Sequence, residues 1–434
     1  MPKDTAKRKV EKQKMRASRR FEKNLGVNVI QRGSFDLIFA CTVLILFTFG
    51  IVMMYSASYA YAAVNEKGGA NTFFFSQLQN AAIGFAAMAV ISKINYKVLN
   101  GRMAIFAFAA TIVILVITLL VNIGASDSET KRWIKIGGFQ LQPSEFAKFT
   151  LILTLAYVMC VLQKSLRAPD GKHAKFTPRE DGLTSFEAKI FRFARTPFTS
   201  CVVLSVKIVI YCGLVFLESH YSCTILLFFM GVSMMWLSGT KRKYFGWVFL
   251  IGAIIVMVVL LKPEILGKIG GFAEARISAW LSKDPSQNQG TRYQTVNGLY
   301  AIGSGGLFGV GLGNSKQKQL YIPEPQNDFI FPVICEELGF IGAAFVIILF
   351  AFLIYRGIVI AVKCKDYFGS LLVMGIMIQV ALQVIINIAV VTDLFPNTGM
   401  PLPFFSYGGT ALLVLLCEMG VVLSVSRNST IEKQ

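Results

Sequence analysis

Apolar residues along this chain gather in runs long enough to cross a lipid bilayer, and polar residues are largely confined between them. A membrane helix needs about 20 predominantly apolar residues. Runs that qualify begin near Phe35, Phe73, Met103, Phe146, Cys201, Tyr221, Tyr244, Phe329, Tyr367 and Gly408. The pattern predicts an all-α integral membrane protein with ten transmembrane helices and a large outer loop, 262–327, between helices 7 and 8. The run near Phe329 continues almost to Tyr355, long enough for a tilted helix. Three parts follow: a basic tail over 1–34, a ten-helix membrane domain over 35–426, and a short tail over 427–434. The first apolar run follows a polar stretch and has no small-residue cleavage site after it, so it reads as an anchor rather than a signal peptide.

Charge orients this arrangement. With the N-terminus inside, the inner segments hold 30 Lys and Arg and the outer segments 11, so the positive-inside rule places both termini in the cytoplasm. The net charge of +19 therefore marks topology and not a nucleic-acid binder. Lys3 to Lys23 reads as a solvated tail that leans on anionic lipid. Composition agrees with lipid as solvent: 54% of residues are hydrophobic and 15% charged, where soluble domains carry roughly a quarter charged. The eight cysteines fall in or beside spans, which implies apolar packing and no disulfide framework. His173 and His220 have no spacing suited to a zinc site.

The outer loop is too rich in apolar residues to be disordered. Ile265, Ile269, Phe272, Ile277, Trp280 and Leu281 approximate a helical stripe, as in a helix lying at the membrane interface. Tyr293, Val296 and Tyr300 suggest a second short helix over Arg292–Ile302. The glycine-rich run Gly303-Ser-Gly-Gly-Leu-Phe-Gly-Val-Gly-Leu-Gly313 lacks a nucleotide-binding register. It reads equally as a backbone-permissive turn or as a close approach of backbone to a phosphate-bearing headgroup.

Ionisable residues at membrane depth are costly and stand out. Glu145 and Lys148 open the fourth span in Gln142-Pro-Ser-Glu-Phe-Ala-Lys148; they share a helix face and should pair. Lys131-Arg-Trp-Ile-Lys135 puts cations and an aromatic just upstream. Asp328 falls at or just before the start of the eighth span, where it reads as a helix cap or as a reactive carboxylate. Glu336 and Glu337 lie about two turns deeper and require a polar cavity or cationic partners. Near the ninth span's end, Phe395-Pro-Asn-Thr-Gly-Met-Pro-Leu-Pro-Phe-Phe-Ser-Tyr-Gly-Gly409 cannot continue a helix, so irregular backbone is expected at membrane depth. Ser406 is read as the cap of the tenth span.

At these groups the sequence resembles the SEDS (shape, elongation, division and sporulation) family, across about Phe35 to Ser426. The most specific pieces are Arg132-Trp-Ile with Gln142-Pro-Ser-Glu145, Asp328-Phe-Ile-Phe331 with Glu336-Glu-Leu-Gly339, and Asn397-Thr-Gly399 with Pro403-Phe-Phe-Ser-Tyr-Gly-Gly409. Tyr55-Ser-Ala-Ser58 and the basic N-terminus look more like the FtsW and sporulation branch. One departure is Pro323-Glu-Pro-Gln-Asn327, where an Ala-His-Thr-like step is expected. The resemblance implies a glycosyltransferase that polymerises lipid II at the outer face of the cytoplasmic membrane, in septal wall synthesis. A class B penicillin-binding protein and other division-machinery proteins would be its partners.

By that resemblance Asp328 is the essential aspartate. An inverting transfer to a β-1,4 linkage needs a base at the acceptor hydroxyl and positive charge on the departing diphosphate. Arg132, Lys148, Arg276, Arg292 and Lys318 are the candidate cations. Trp133, Glu145, Glu324, Glu336 and Ser406 complete the expected substrate contacts. A divalent cation, Mg or Mn, would help neutralise the diphosphate, although no ligand spacing specifies one. Two other functions fit the same features: a flippase for lipid II, and a non-catalytic division scaffold.

Overall fold

The computed structural model describes residues 31–32, 34–66, 68–121, 132–136, 139–168, 190–245, 276–278, 280–281, 291–428 and 430–431. Among them, eight helices are long and apolar enough to cross a membrane. These are α1 (Leu37–Asn65), α2 (Thr72–Lys93), α3 (Arg102–Val121), α4 (Pro143–Leu166), α5 (Pro197–Leu217), α8 (Ile330–Lys363), α9 (Tyr367–Val391) and α10 (Gly409–Asn428). Tyr221–Leu237 forms a shorter apolar helix, α6. The expected seventh span falls mostly outside the described residues, as does most of the expected interfacial helix. The second loop helix is present as α7 (Thr291–Ser304).

Helix starts follow the local sequence. Asp36 caps α1 by accepting from the Phe39 amide at 2.9 Å. Thr196 and Thr199 form a reciprocal box at the start of α5, and Pro197 takes a first-turn position where no amide hydrogen is needed. Pro143 plays the same part in α4. That helix, with α9 and α10, is the most enclosed of the bundle, whereas α2 and α3 expose most of their surface. Gly50 of α1 permits close approach to the irregular segment after α9: a Cβ there would stand 2.5 Å from the Phe404 carbonyl oxygen.

Two short antiparallel pairs finish the chain. β1 (Gln31–Arg32) pairs with β4 (Thr430–Ile431), so the two expected tails meet at one end of the bundle. β2 (Ile134–Ile136) pairs with β3 (Phe139–Leu141) at the opposite end, just before α4.

The expectation of one long tilted helix after Phe329 is corrected. Gly339 sits inside α8 with φ 67° and ψ −167°, which breaks the helix into two. A helical ladder would join the Phe340 amide to the Glu336 carbonyl and the Ile341 amide to the Glu337 carbonyl. Instead the Phe340 and Ile341 amides donate to Gly306 and Leu307 oxygens, at 2.9 and 3.2 Å. The Glu336 and Glu337 carbonyls accept from the Val310 and Gly311 amides, at 2.9 and 3.0 Å. The glycine-rich run therefore fills the break and replaces each lost bond. It is a close backbone approach, but to protein backbone and not to a headgroup. Glycine is required because a Cβ on Gly305 would overlap the Cys335 carbonyl, and one on Gly309 the Glu337 carbonyl.

This packing gives a test. Gly309→Ala should destabilise the protein by about 3 kcal/mol or more, since both φ (+80°) and the overlap oppose a methyl group. Gly303→Ala, in α7 with nothing within 4 Å of the added atom, should be neutral or stabilise by about 0.5–1 kcal/mol. Thermal melting in detergent reads both, and equal melting temperatures for the two variants would refute the account.

Candidate functional site

A cavity of about 1540 Å³ opens among α2, α4, α9, α10 and the segments around 323–328 and 397–410. Arg132, Trp133, Glu145, Lys148, Arg276, Glu324, Asp328 and Ser406 all line it. The motifs quoted from three distant parts of the sequence thus converge on one space.

Asp328 lies two residues ahead of α8. The cap position, one residue before the helix, belongs to Phe329 and not to Asp328. The Asp328 backbone is tied to α9: its carbonyl accepts from Asn387 Nδ2 at 2.8 Å, and the same nitrogen donates to the Met400 carbonyl at 2.7 Å. Gly399 has φ +68°, and a Cβ there would meet Asp328 Oδ2 at 3.5 Å. The aspartate is thereby fixed between α9 and the irregular segment, with its side chain at the cavity wall. Glu324, also with positive φ (45°), accepts from Asn327 Nδ2 at 2.6 Å and from the Tyr61 hydroxyl at 3.4 Å.

Glu145 and Lys148 form the expected ion pair, 2.7 Å apart and almost fully buried. The β2–β3 hairpin sets Arg132 and Trp133 at the rim; it is fastened by Thr410 Oγ1 donating to the Gln140 carbonyl at 2.8 Å. Ser406 is not the cap of α10. Its hydroxyl accepts from the Leu402 amide at 2.8 Å, and its carbonyl accepts from Gln77 Nε2 at 3.2 Å. It braces its own turn because the proline-rich backbone folds back on itself there.

Three candidates are placed elsewhere. Arg292 pairs with Asp393 at 3.4 Å, beside Trp280, whose Nε1 donates to the Asp393 carbonyl at 3.1 Å. Lys318 reaches Glu337 at 2.7 Å and Ser56 at 2.8 Å, and is buried. Glu336 accepts from the Ser315 hydroxyl and from the Lys316 and Gln317 amides, at 3.0 and 3.3 Å. Lys318 and Glu336 therefore clamp the loop onto the broken helix and do not line the cavity. The demand that Glu336 and Glu337 find cationic or polar partners is met by that clamp.

The structure adds residues that sequence reasoning missed. Gln379 and Gln383 line the cavity; with Asn387 they recur every fourth residue, one face of a helix, and that spacing could have revealed them. His220 lines it as well, its Nδ1 2.9 Å from Ser144 Oγ. Burial lowers the His220 pKa well below the usual range, aided by the positive charges of Arg132, Lys148 and Arg276, so the ring is neutral. Glu218, in the same turn, is fully buried with no hydrogen-bond partner for either oxygen. Burial raises its pKa to about 8, against the pull of Arg132. Among the described residues, no three His, Cys, Asp or Glu side chains group to hold a metal ion.

Residues 36–431 match the cell cycle protein family of FtsW, RodA and SpoVE. The chain belongs to this family. Stage V sporulation protein E of Bacillus subtilis is 35% identical over 400 residues, or 91% of this chain and 97% of that protein. A probable peptidoglycan glycosyltransferase FtsW of Trichlorobacter lovleyi is 34% identical, over 90% of this chain and 93% of the relative. The fold matches a solved chain from a peptidoglycan synthase complex at TM-score 0.66 and 20% identity, covering 91% of this chain and 98% of that one. It also matches Thermus thermophilus RodA at TM-score 0.59 and 22% identity, covering 91% and 97%. With its membrane helices, this family member is a multi-pass bacterial membrane protein.

Glu218 provides a pH test. Its folded pKa lies above its ordinary value of 4.5, so the unfolded chain releases this proton first. Its contribution is fully present below about pH 4.5 and is lost as pH rises to about 8. Glu218→Gln mimics the neutral acid and should melt like wild type near pH 5. At pH 8.5 it should melt roughly 5 °C higher. A difference that does not grow with pH would refute the buried, protonated carboxyl.

Proposed function

We propose that this chain is a peptidoglycan glycosyltransferase that polymerises lipid II, with Asp328 as its base. The observation that carries the assignment of roles is the placement of Asp328 on the wall of a large membrane cavity that Arg132, Lys148 and Arg276 also line. The family membership and the relatives named as glycosyltransferases support the activity.

The chemistry follows from those positions. Asp328 accepts the proton of the acceptor sugar hydroxyl as that oxygen attacks the anomeric carbon of the lipid-linked sugar. The bond from that carbon to the diphosphate oxygen breaks, with inversion from α to β. Arg132, Lys148 and Arg276 stabilise the charge that develops on the leaving diphosphate. Glu145, 2.7 Å from Lys148, pairs with its ammonium in the buried wall and so offsets part of the cost of placing a charge there. A Mg or Mn ion carried by the diphosphate would find Asp328 and Glu324 as carboxylate neighbours at the wall. Septal wall synthesis, with a class B penicillin-binding protein and other division proteins, is the setting this reading implies.

The cavity belongs on the outer side, where the precursor's sugars meet the growing strand. The positive-inside bias supports this orientation. The β1–β4 pair agrees, since it puts Gln31–Arg32 and Thr430–Ile431 together where α1 begins and α10 ends. Single cysteines introduced into a cysteine-free background test it. A cysteine at exposed Gln319 should react with an impermeant maleimide in intact cells, and one at exposed Asn100 only after permeabilisation. The reverse pattern would overturn the orientation.

Asp328→Asn tests the chemistry. The variant should fold and melt as wild type, because Asn keeps the side-chain shape and caps a helix about as well as Asp. Polymerisation of lipid II by the purified protein with its transpeptidase partner should fall by about 10²–10⁴-fold, the usual loss for a general base. Polymerisation near the wild-type rate would remove Asp328 from the mechanism.

A further inference from the structure

His220 stands just before α6, in the position of a cap, yet its side chain caps nothing. Its ring forms part of the cavity wall instead. It is 6% exposed, and the open space it meets is the cavity. Nδ1 lies 2.9 Å from the hydroxyl of Ser144, a fully buried residue in the first turn of α4. Nε2 has no hydrogen-bond partner among the described residues, and it is not sealed from the surface as both oxygens of Glu218 are. Tying α6 to α4 therefore uses one nitrogen, and the other is left at the cavity.

The hydrogen bond to Ser144 also decides where the ring carries its proton. A neutral imidazole donates from one nitrogen and accepts at the other. With the proton on Nδ1, the Ser144 oxygen would accept it. The hydroxyl hydrogen would then be buried without an acceptor, since that hydroxyl has no other partner among the described residues. A buried donor left unpaired bears its full desolvation cost. With Ser144 donating to Nδ1, both groups are satisfied and the proton lies on Nε2, at the cavity. Burial keeps the ring neutral, and the positive charges of Arg132, Lys148 and Arg276 act on it in the same direction. Those three side chains line the same space, so an anion drawn to them arrives beside the ring.

We propose that His220 is a substrate-binding residue that donates its Nε2–H to a diphosphate oxygen of the lipid-linked precursor, and that Ser144 is the positioning residue that fixes the proton there. A neutral donor suits this place. A fourth cation would be repelled by the other three before substrate enters, whereas an N–H bond to a charged oxygen is strong. The inference deepens the glycosyltransferase reading and rests on it.

The test uses the purified protein with its transpeptidase partner, and a polyprenyl diphosphate, the leaving half of the precursor, as probe. Affinity is read from the rise in melting temperature as probe is added, and kcat/KM from strand synthesis. The double variant Ser144→Ala with His220→Phe keeps a ring and leaves neither polar partner alone, so without probe it should melt close to wild type. Its affinity for the probe should fall about tenfold or more, what a hydrogen bond to a charged group is worth. Its kcat/KM should fall at least as far, because charge on the diphosphate grows in the transition state. His220→Gln carries an amide N–H close to where Nε2 stood and should recover most of both. His220→Asn can still accept from Ser144 but ends short of that point, and should bind the probe about as weakly as the double variant.

A double variant that folds and binds the probe as wild type does overturns the inference. Should it fail to fold, the Gln and Asn variants decide, and equal affinity in the two overturns it. So does a wild-type protein that the probe does not stabilise. A wild-type complex that binds the probe but makes no strands sinks the glycosyltransferase reading instead, and the binding comparison still judges the diphosphate contact.

Discussion

In a membrane every backbone amide and carbonyl must find its partner within the protein, and the break in α8 shows how strictly this one obeys. Gly339 turns the chain out of helical geometry where the hydrocarbon offers no water. The glycine-rich run accepts from and donates to the two residue pairs that the break leaves open. Much of this end of the molecule depends on that exchange. It brings Ser315 to Lys318 against the Glu336 and Glu337 side chains, and it ties the loop down before the chain climbs to Asp328.

The buried charges divide into two groups with different tasks. Lys318, Glu337 and Ser56 bind each other and hold α1, the loop and α8 together. Removing one partner of such a pair typically costs about 3–5 kcal/mol, because the survivor is left buried and uncompensated. Glu145 and Lys148 are also paired, yet they face the cavity, where a substrate's charge adds to theirs. Burial alone does not separate the groups; what separates them is whether open space adjoins the pair.

Much of this was legible in the sequence. Run lengths gave the described spans, Pro143 and the three-residue spacing gave the Glu145–Lys148 pair, and Tyr293, Val296 and Tyr300 located α7. Asp328 was found because a carboxylate at a membrane boundary demands a reason. The break at Gly339 was hidden, since apolar residues continue through it and the compensating bonds come from a segment about thirty residues away. Lys318 and Arg292 were read as cavity cations because sequence shows charge but not its partner, and the fold had assigned both to carboxylates. Glu218 and His220 were passed over because a three-residue turn between apolar runs reads as exposed, whereas Ser219 at φ 58° folds it inward.

The clamp on α8 also constrains how the protein is made. The ribosome delivers the glycine-rich run and Lys318 before it delivers Glu336, Glu337 and Gly339. For that interval the loop has no helix to enter, and its lysine has no carboxylate to meet. Docking must await the insertion of α8 beside an α1 already in place, since Ser56 and Glu337 hold the same ammonium. The irregular segment that braces Asp328 arrives later still, after α9. Assembly of the cavity is therefore among the last events in biogenesis, and a truncated or stalled chain carries membrane helices without a formed reaction chamber.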